Sequence, residues 1–163
     1  RGRVDEALQA INAALKIKPD LRLAHFNLGQ IAEDRGDLLR AATEYREEIK
    51  LHEDCYQAHY QLGRILDRQG QHQAAVQEYE ASVAANPRFG EGYLLLAKSA
   101  LDVGNLPQAI EQAAKGLKLS PASEFSPLGH YVLADAYNRQ GRREAAAREA
   151  GMGRALEVRL PRK

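Results

Sequence analysis

Tryptophan is absent from this 163-residue chain, and phenylalanine (3), methionine (1) and cysteine (1) are scarce. With seven tyrosines beside the three phenylalanines, the aromatic content is thin filling for a thick globular core. The single cysteine, Cys55, cannot close an intrachain disulfide or supply a zinc site that depends on several thiolates. An excess of one charge is also missing: 23 Lys and Arg stand against 22 Asp and Glu, a formal net charge of +1. With no net field to hold nucleic acid or an acidic membrane, neither is expected as a partner. No apolar run approaches the roughly 20 residues that cross a bilayer, and the N-terminus lacks the apolar core of a secretory signal. The expectation is a soluble chain without membrane insertion, cytoplasmic by default, with the bacterial periplasm as the alternative.

What the chain does have is a period. Gly2, Gly36, Gly70 and Gly104 lie 34 residues apart, and Ala7, Ala41, Ala75 and Ala109 keep the same step. Leu28-Gly29, Leu62-Gly63 and Leu96-Ala97 form a third row, and Pro19, Pro87 and Pro121 a fourth in which Glu53 is the exception. Units beginning at Arg22 cover 22–55, 56–89 and 90–123. A fourth fits 127–160 once Glu124 to Ser126 (124–126) are taken as an insertion, with 161–163 left as a tail. Residues 1–21 make only the second half of a unit.

Each unit reads as two short helices. In the unit at 56–89, Ala58, Leu62, Ile65 and Leu66 recur at helical spacing, Gly70 interrupts, and Ala75, Val76, Tyr79 and Val83 resume until Pro87. The glycine sits where a helix closes with a left-handed residue, and Asp37 and Asn105 just after it are good caps for the next helix. Such a hairpin buries one face of each helix and must stack on a neighbour to bury the rest. The expected fold is all-α, a right-handed solenoid of antiparallel helix-turn-helix hairpins.

This pattern resembles the tetratricopeptide repeat family, whose unit is a 34-residue helix-turn-helix. Leu28-Gly29 and Leu62-Gly63 match its Leu-Gly pair, Tyr45 and Tyr79 its large second-helix residue, and Pro19, Pro87 and Pro121 its closing proline. The usual first-helix Trp is replaced by His25, His59, Tyr93 and His130. Glu48 and Ser82 replace a small alanine, which predicts poorer packing at those two places.

Residues with catalytic or ligating potential do not assemble into a site in the sequence. His25, His59 and His130 share one place in the unit and would stand about 10 Å apart in stacked helices, against the roughly 2 Å of a zinc bond. They are expected to be packing residues. His52, Cys55 and His59 are closer, but a helix boundary separates them and no fourth ligand is evident. No phosphate loop or nucleophile signature is present, and Glu44, Glu47 and Glu48 alternate with Arg46 and Lys50 as on a solvated helix face. The expectation is no enzyme, no cofactor and no metal.

The first helices of stacked hairpins line the concave side. The fifth place of each unit holds Phe26, Tyr60, Leu94 and Tyr131, an apolar stripe. The sixth holds Asn27, Gln61, Leu95 and Val132, the ninth Gln30, Arg64, Lys98 and Asp135, and the thirteenth Asp34, Arg68, Asp102 and Arg139. The predicted site is a groove with an apolar floor and mixed-charge walls, suited to an extended peptide or a partner helix. Alternatively, Phe26 and Tyr60 pack within the solenoid and the rest is solvated surface. The resemblance also implies what to look for in the groove. Places at which some family members grip a peptide's terminal carboxylate hold Phe26, Gln30, Gln61, Glu91 and Leu95, so that clamp is absent. Of the asparagine ladder of others, Asn27 and Gln61 are a two-rung remnant.

The half-unit at the start shows Ala7, Leu8, Ile11 and Leu15 with no preceding helix to cover them. This leads to the expectation of a piece of a longer protein, the gap being filled by an upstream segment or by self-association. The last helix is rich in small and polar residues, as in a terminal cap, and the basic ending Arg159 to Lys163 reads as a solvated C-terminal tail. The function expected is a protein-interaction scaffold that binds a protein or peptide segment. The alternative is an accessory, substrate-positioning region of an enzyme whose catalytic domain lies upstream.

Overall fold

The computed structural model describes residues 2–159; the tail at 161–163 lies outside them. Among the described residues there are nine helices and no strand: α1 (Gly2–Ile17), α2 (Ala24–Asp34), α3 (Leu38–Leu51), α4 (Tyr56–Arg68), α5 (His72–Ala85), α6 (Gly90–Asp102), α7 (Leu106–Leu119), α8 (Ser126–Arg139) and α9 (Arg143–Arg159). The pairs α2/α3, α4/α5, α6/α7 and α8/α9 form hairpins, and the second helix of each packs on the first helix of the next. The result is an all-α solenoid. None of these helices is long and apolar enough to cross a membrane.

The turns inside the hairpins are made as the glycine row predicts. Gly36, Gly70, Gly104 and Gly141 have φ of 79°, 73°, 81° and 75°, a backbone that a Cβ disfavours. In each turn the next N–H reaches back five residues, as from Asp37 to the Ala32 carbonyl at 2.9 Å, which closes the first helix. Asp37 then caps α3 by accepting from the Arg40 N–H at 3.0 Å, and Asn105 caps α7 by accepting from Gln108 at 3.3 Å.

Within a hairpin, helix separation is set by one contact. Tyr45 and Tyr79 are fully buried, and a Cβ built at Gly29 or Gly63 would lie 2.5 Å or 2.7 Å from the facing ring. Where the tyrosine is replaced by Ala113, the glycine becomes Ala97, and both alanines are fully buried. The two rows therefore vary together inside one chain, and the core divides accordingly. One cluster is built around Tyr45 and Tyr79, the other around Ala97, Ala100, Ala109 and Ala113.

At the two places expected to pack poorly, the side chains are buried and hydrogen-bonded. Glu48 is fully buried, and its carboxylate accepts the N–H of Leu23 at 2.7 Å and of Phe26 at 3.2 Å. These donors belong to the start of α2, where a carboxylate also meets the positive end of the helix dipole. Leu23 has φ 64°, a left-handed backbone costing an L-residue about 1–2 kcal/mol, and the Glu48 bond helps to hold it. Ser82, also buried, donates to the Tyr56 carbonyl at 2.9 Å.

The histidines replacing tryptophan form a repeated link between the two helices of a hairpin. His25, His59 and His130 donate through Nδ1 to Glu44, Glu78 and Glu149 at 2.8, 2.7 and 2.8 Å, each 19 residues ahead. In the third hairpin Tyr93 takes the place, with the Lys115 ammonium 4.2 Å from its ring centroid. At His59 burial works against the imidazolium, but Glu78 and the Glu53 carbonyl outweigh it and raise the pKa above the usual histidine value.

α1 makes the sparsest junction in the solenoid. Ala7 is exposed, unlike Ala41, Ala75 and Ala109, and Leu8, Ile11 and Leu15 are only half-buried, as expected for a helix without a preceding partner.

Two outcomes follow for stability. Gly63→Ala should cost about 1–3 kcal/mol in urea denaturation, because the buried ring cannot yield. In a Tyr79→Ala background the same change should stabilise by up to about 1 kcal/mol through helix propensity, and additive effects would refute the contact. For His59, the folded pKa lies above the unfolded one. Its pair with Glu78 therefore contributes fully below the unfolded value near 6.5 and fades as pH rises through the folded value. The stability advantage of the wild type over Glu78→Gln should be larger at about pH 6 than at about pH 9.

Candidate functional site

The inner face of the solenoid carries the first helices of the hairpins, and α6 packs directly on α8 across it. The fifth-place residues lie lower on this face than a surface stripe would. Phe26 is half-buried with its ring centroid 5.7 Å from that of Tyr45, and Tyr60 is half-buried, 6.1 Å from Tyr79 and 4.9 Å from Phe89. The Tyr131 hydroxyl donates to Glu157 at 2.8 Å. Leu94, expected in the groove, is fully buried. Gly116 and Gly129 leave room for it, so closely that a Cβ at either would come within 2.7 Å or 2.6 Å of its side chain.

The polar rows are what the groove presents. Asn27, Gln30, Gln61 and Arg64 come together around a pocket of about 660 Å³ that Ile31, Glu33 and Asp34 of α2 and Ala7 and Ile11 of α1 complete. Arg64 donates to the Gln61 side chain at 2.6 Å. Arg64 also borders a second pocket of about 270 Å³, with Arg68, Lys98, Asp67, Tyr79, Leu95 and Phe125. Phe26, Tyr60, Leu94, Tyr131 and Asp135 line neither pocket.

The ninth and thirteenth places of a unit are one helical turn apart, and their charges answer each other. Lys98 bonds Asp102 at 2.7 Å, and Arg139 bonds Asp135 at 2.8 Å. Unit two differs, since both places are cationic. Arg64 and Arg68 share Glu33 of α2 at 3.8 Å and 3.9 Å. Burial opposes the Lys98 charge, yet Asp102 and Asp67 outweigh it and raise its pKa. Burial pushes the Tyr60 phenol up to about 12, so it remains a neutral donor at physiological pH.

Sequence reasoning missed four contributors. Glu33 and Asp67 occupy the twelfth place of their units and were not singled out, although that place borders the charged row. Tyr79 was read as core alone, and Phe125 sits in the insertion, where no repeat row reports on it. Asp67, His72 and Asp102 form the one group among the described residues with metal-ligand geometry, their ligand atoms all within 4.8 Å of one another. The Lys98 ammonium, 3.5 Å from Asp67 and 2.7 Å from Asp102, already provides a cation there. Ser99 adds a hydrogen bond to Asp67 at 2.9 Å. At the other histidine and cysteine cluster, the two ring nitrogens of His59 are taken by Glu78 at 2.7 Å and the Glu53 carbonyl at 3.1 Å. His52 meets the Asp20 carbonyl at 3.2 Å, and Cys55 is buried. Chemically, the inner surface offers donors, acceptors and paired charges over an apolar base, the requirements of non-covalent recognition.

A family model described as tetratricopeptide repeat matches residues 1–52, 26–88 and 94–151. Among solved structures, MamA superposes with a TM-score of 0.81 at 23% identity, covering 97% of this chain and 91% of that one. A MamA fragment (41-end) from Desulfovibrio magneticus RS-1 gives 0.79 at 25%, covering 99% and 90%. YrrB, a TPR protein with an unusual peptide-binding site, gives 0.81 at 17%, covering 96% and 79%. No curated protein sequence matches the chain.

The ion cluster predicts an ordering of variants. The Asp67 side chain is 10% exposed and serves three partners. Asp67→Ala should therefore cost about 3–5 kcal/mol in urea denaturation, the range for breaking a buried network from one side. Asp102→Ala, at a more open carboxylate, should cost about 1 kcal/mol or less. Equal costs would show that Asp67 does not organise the cluster.

Proposed function

The chain belongs to the tetratricopeptide repeat family, and from that premise we propose that it is a non-catalytic interaction scaffold. Its units at 22–55, 56–89, 90–123 and 127–160 hold an extended protein or peptide segment along their inner face. The observation that carries this reading is the convergence of Asn27, Gln30, Gln61 and Arg64 from two successive first helices on one pocket of about 660 Å³. Side-chain amides at that spacing suit the donors and acceptors of a peptide backbone, and the apolar base beneath suits its side chains. YrrB, of the same fold, has a peptide-binding site of its own, which supports the class of ligand. The half-covered face of α1 is a second place where a helix from an upstream segment or another copy would pack.

The test is a photo-crosslinking amino acid placed at Gln30, Gln61 or Arg68 on the inner face, or at Arg46 or Lys50 on the exposed side of α3. Tyr60 is a poor choice for substitution, since it packs between Tyr79 and Phe89 and its loss would unfold as well as unbind. Partner adducts from the inner positions and not from α3 are expected. Adducts from α3 alone would place binding on the convex side and defeat the proposal.

A further inference from the structure

Tyr79 is fully buried, and among the described residues its hydroxyl is the buried side-chain polar atom without a hydrogen-bond partner. Its counterpart in the preceding unit is not in that position: the Tyr45 hydroxyl donates to Glu33 at 3.0 Å. The matching place in α4 holds Asp67, which is one methylene shorter. Its two oxygens are already engaged by His72 at 2.9 Å and Ser99 at 2.9 Å. Burial keeps the Tyr79 phenol protonated well above the ordinary tyrosine range, so what it lacks is an acceptor. A hydroxyl left unmet in the interior is destabilising and calls for an explanation.

The surroundings indicate which acceptor. Tyr79 borders the pocket of about 270 Å³, where Leu95 and Phe125 provide apolar wall, Arg64, Arg68 and Lys98 provide cations, and the carboxylate, Asp67, is already engaged by His72, Ser99 and Lys98. Lys98 is committed to Asp102 at 2.7 Å. Arg68 is not committed in the same way: its carboxylate neighbour, Glu33, is 3.9 Å away, beyond hydrogen-bond distance, and is shared with Arg64. Tyr79, whose buried hydroxyl is unmatched, and the under-used Arg68 guanidinium thus line one hollow with an apolar wall.

We propose that this pocket receives the side-chain carboxylate of a glutamate in the bound segment, accepting from the Tyr79 hydroxyl and pairing with Arg68 and Arg64. The two methylenes of that side chain lie against Leu95 and Phe125. This rests on the groove reading above and names what its centre selects. A side chain fits better than a chain terminus because the groove continues past the pocket toward α1, through Arg64, Gln61 and Gln30.

The experiment is an NMR titration of the full chain with three small probes, following the Arg64 and Arg68 Nε–H and the Tyr79 ring. The probes are N-acetyl-glutamic acid α-methylamide, its glutamine analogue, and N-acetyl-alanine with a free terminal carboxylate. Saturable shifts at these groups with the glutamyl probe are expected, with affinity at least fivefold above the glutaminyl probe. Arg68→Gln should remove that preference. Tyr79→Phe should reduce it at least threefold while leaving the unliganded protein as stable or more stable, which a purely structural role for the hydroxyl would not produce. Equal affinity of the first two probes, an unchanged preference in Tyr79→Phe, or no saturable shift at these groups overturns the inference. Tighter binding of N-acetyl-alanine also overturns it, in favour of a chain end. Crosslinking from the inner face, as above, stands or falls separately, so loss of the pocket and loss of the groove are told apart.

Discussion

In the first two complete hairpins a tyrosine ring of the second helix lies against the backbone of the first at a glycine, closer than any Cβ would permit. That contact determines how near the two helices come and hence how much of each is left to cover by stacking. A hairpin two helices thick has no deep interior, so small residues at the crossings take over the filling that large aromatics provide in a globule. Where tyrosine gives way to Ala113, glycine gives way to Ala97, and in the same hairpin Leu94 lies under the surface against Gly116 and Gly129. The inner face is therefore not uniform along the solenoid. Its first half rests on aromatic rings, its second on alanine and leucine.

The same contact decides what the groove can offer. Because Phe26 and Tyr60 rest on Tyr45 and Tyr79, they act more as a base than as a free stripe. The polar residues one and four places further along each helix are what the inner face presents. Most of their charges are answered within their own helix, one turn away, and are worth little individually at such exposure. The pair Arg64 and Arg68 is the exception, since both places in that unit are cationic and one glutamate serves the two. The near-zero net charge of the chain conceals this local imbalance, which sits beside the unmatched hydroxyl of Tyr79.

The buried Glu48 and Ser82 are each hydrogen-bonded to the other helix of their hairpin. Glu48 supplies the start of α2 with an acceptor from the neighbouring helix, and Ser82 of α5 meets the carbonyl of Tyr56, the first residue of α4 in the same hairpin. The histidines each find a glutamate 19 residues ahead. In place of a tryptophan's area, these positions supply a directional bond whose strength at His59 depends on protonation.

The spacing of Gly36, Gly70 and Gly104, with Ala41, Ala75 and Ala109 behind them, was enough to read the helical hairpin and its stacking, because both follow from local backbone preference and a repeated apolar face. The rows that point inward were legible for the same reason: a helix places residues three and four apart on one side whatever its neighbours are. Asn27, Gln30, Gln61 and Arg64 were found in this way. Periodicity does not report depth, which depends on the residue facing a position from another helix. So Leu94 could not be told from Tyr60 until Gly116 and Gly129 were seen opposite it. Nor could the buried Glu48 be told from its solvated neighbours until Leu23 was seen to present its N–H. Partners such as Glu33 with Arg68, or Asp67 with Ser99, come together only by stacking, and the sequence alone carries no distance between units. The chain's own order determined a solenoid with a polar-lined inner face. Tertiary contact decided which of those residues are floor, which are wall, and which donor is left without an acceptor.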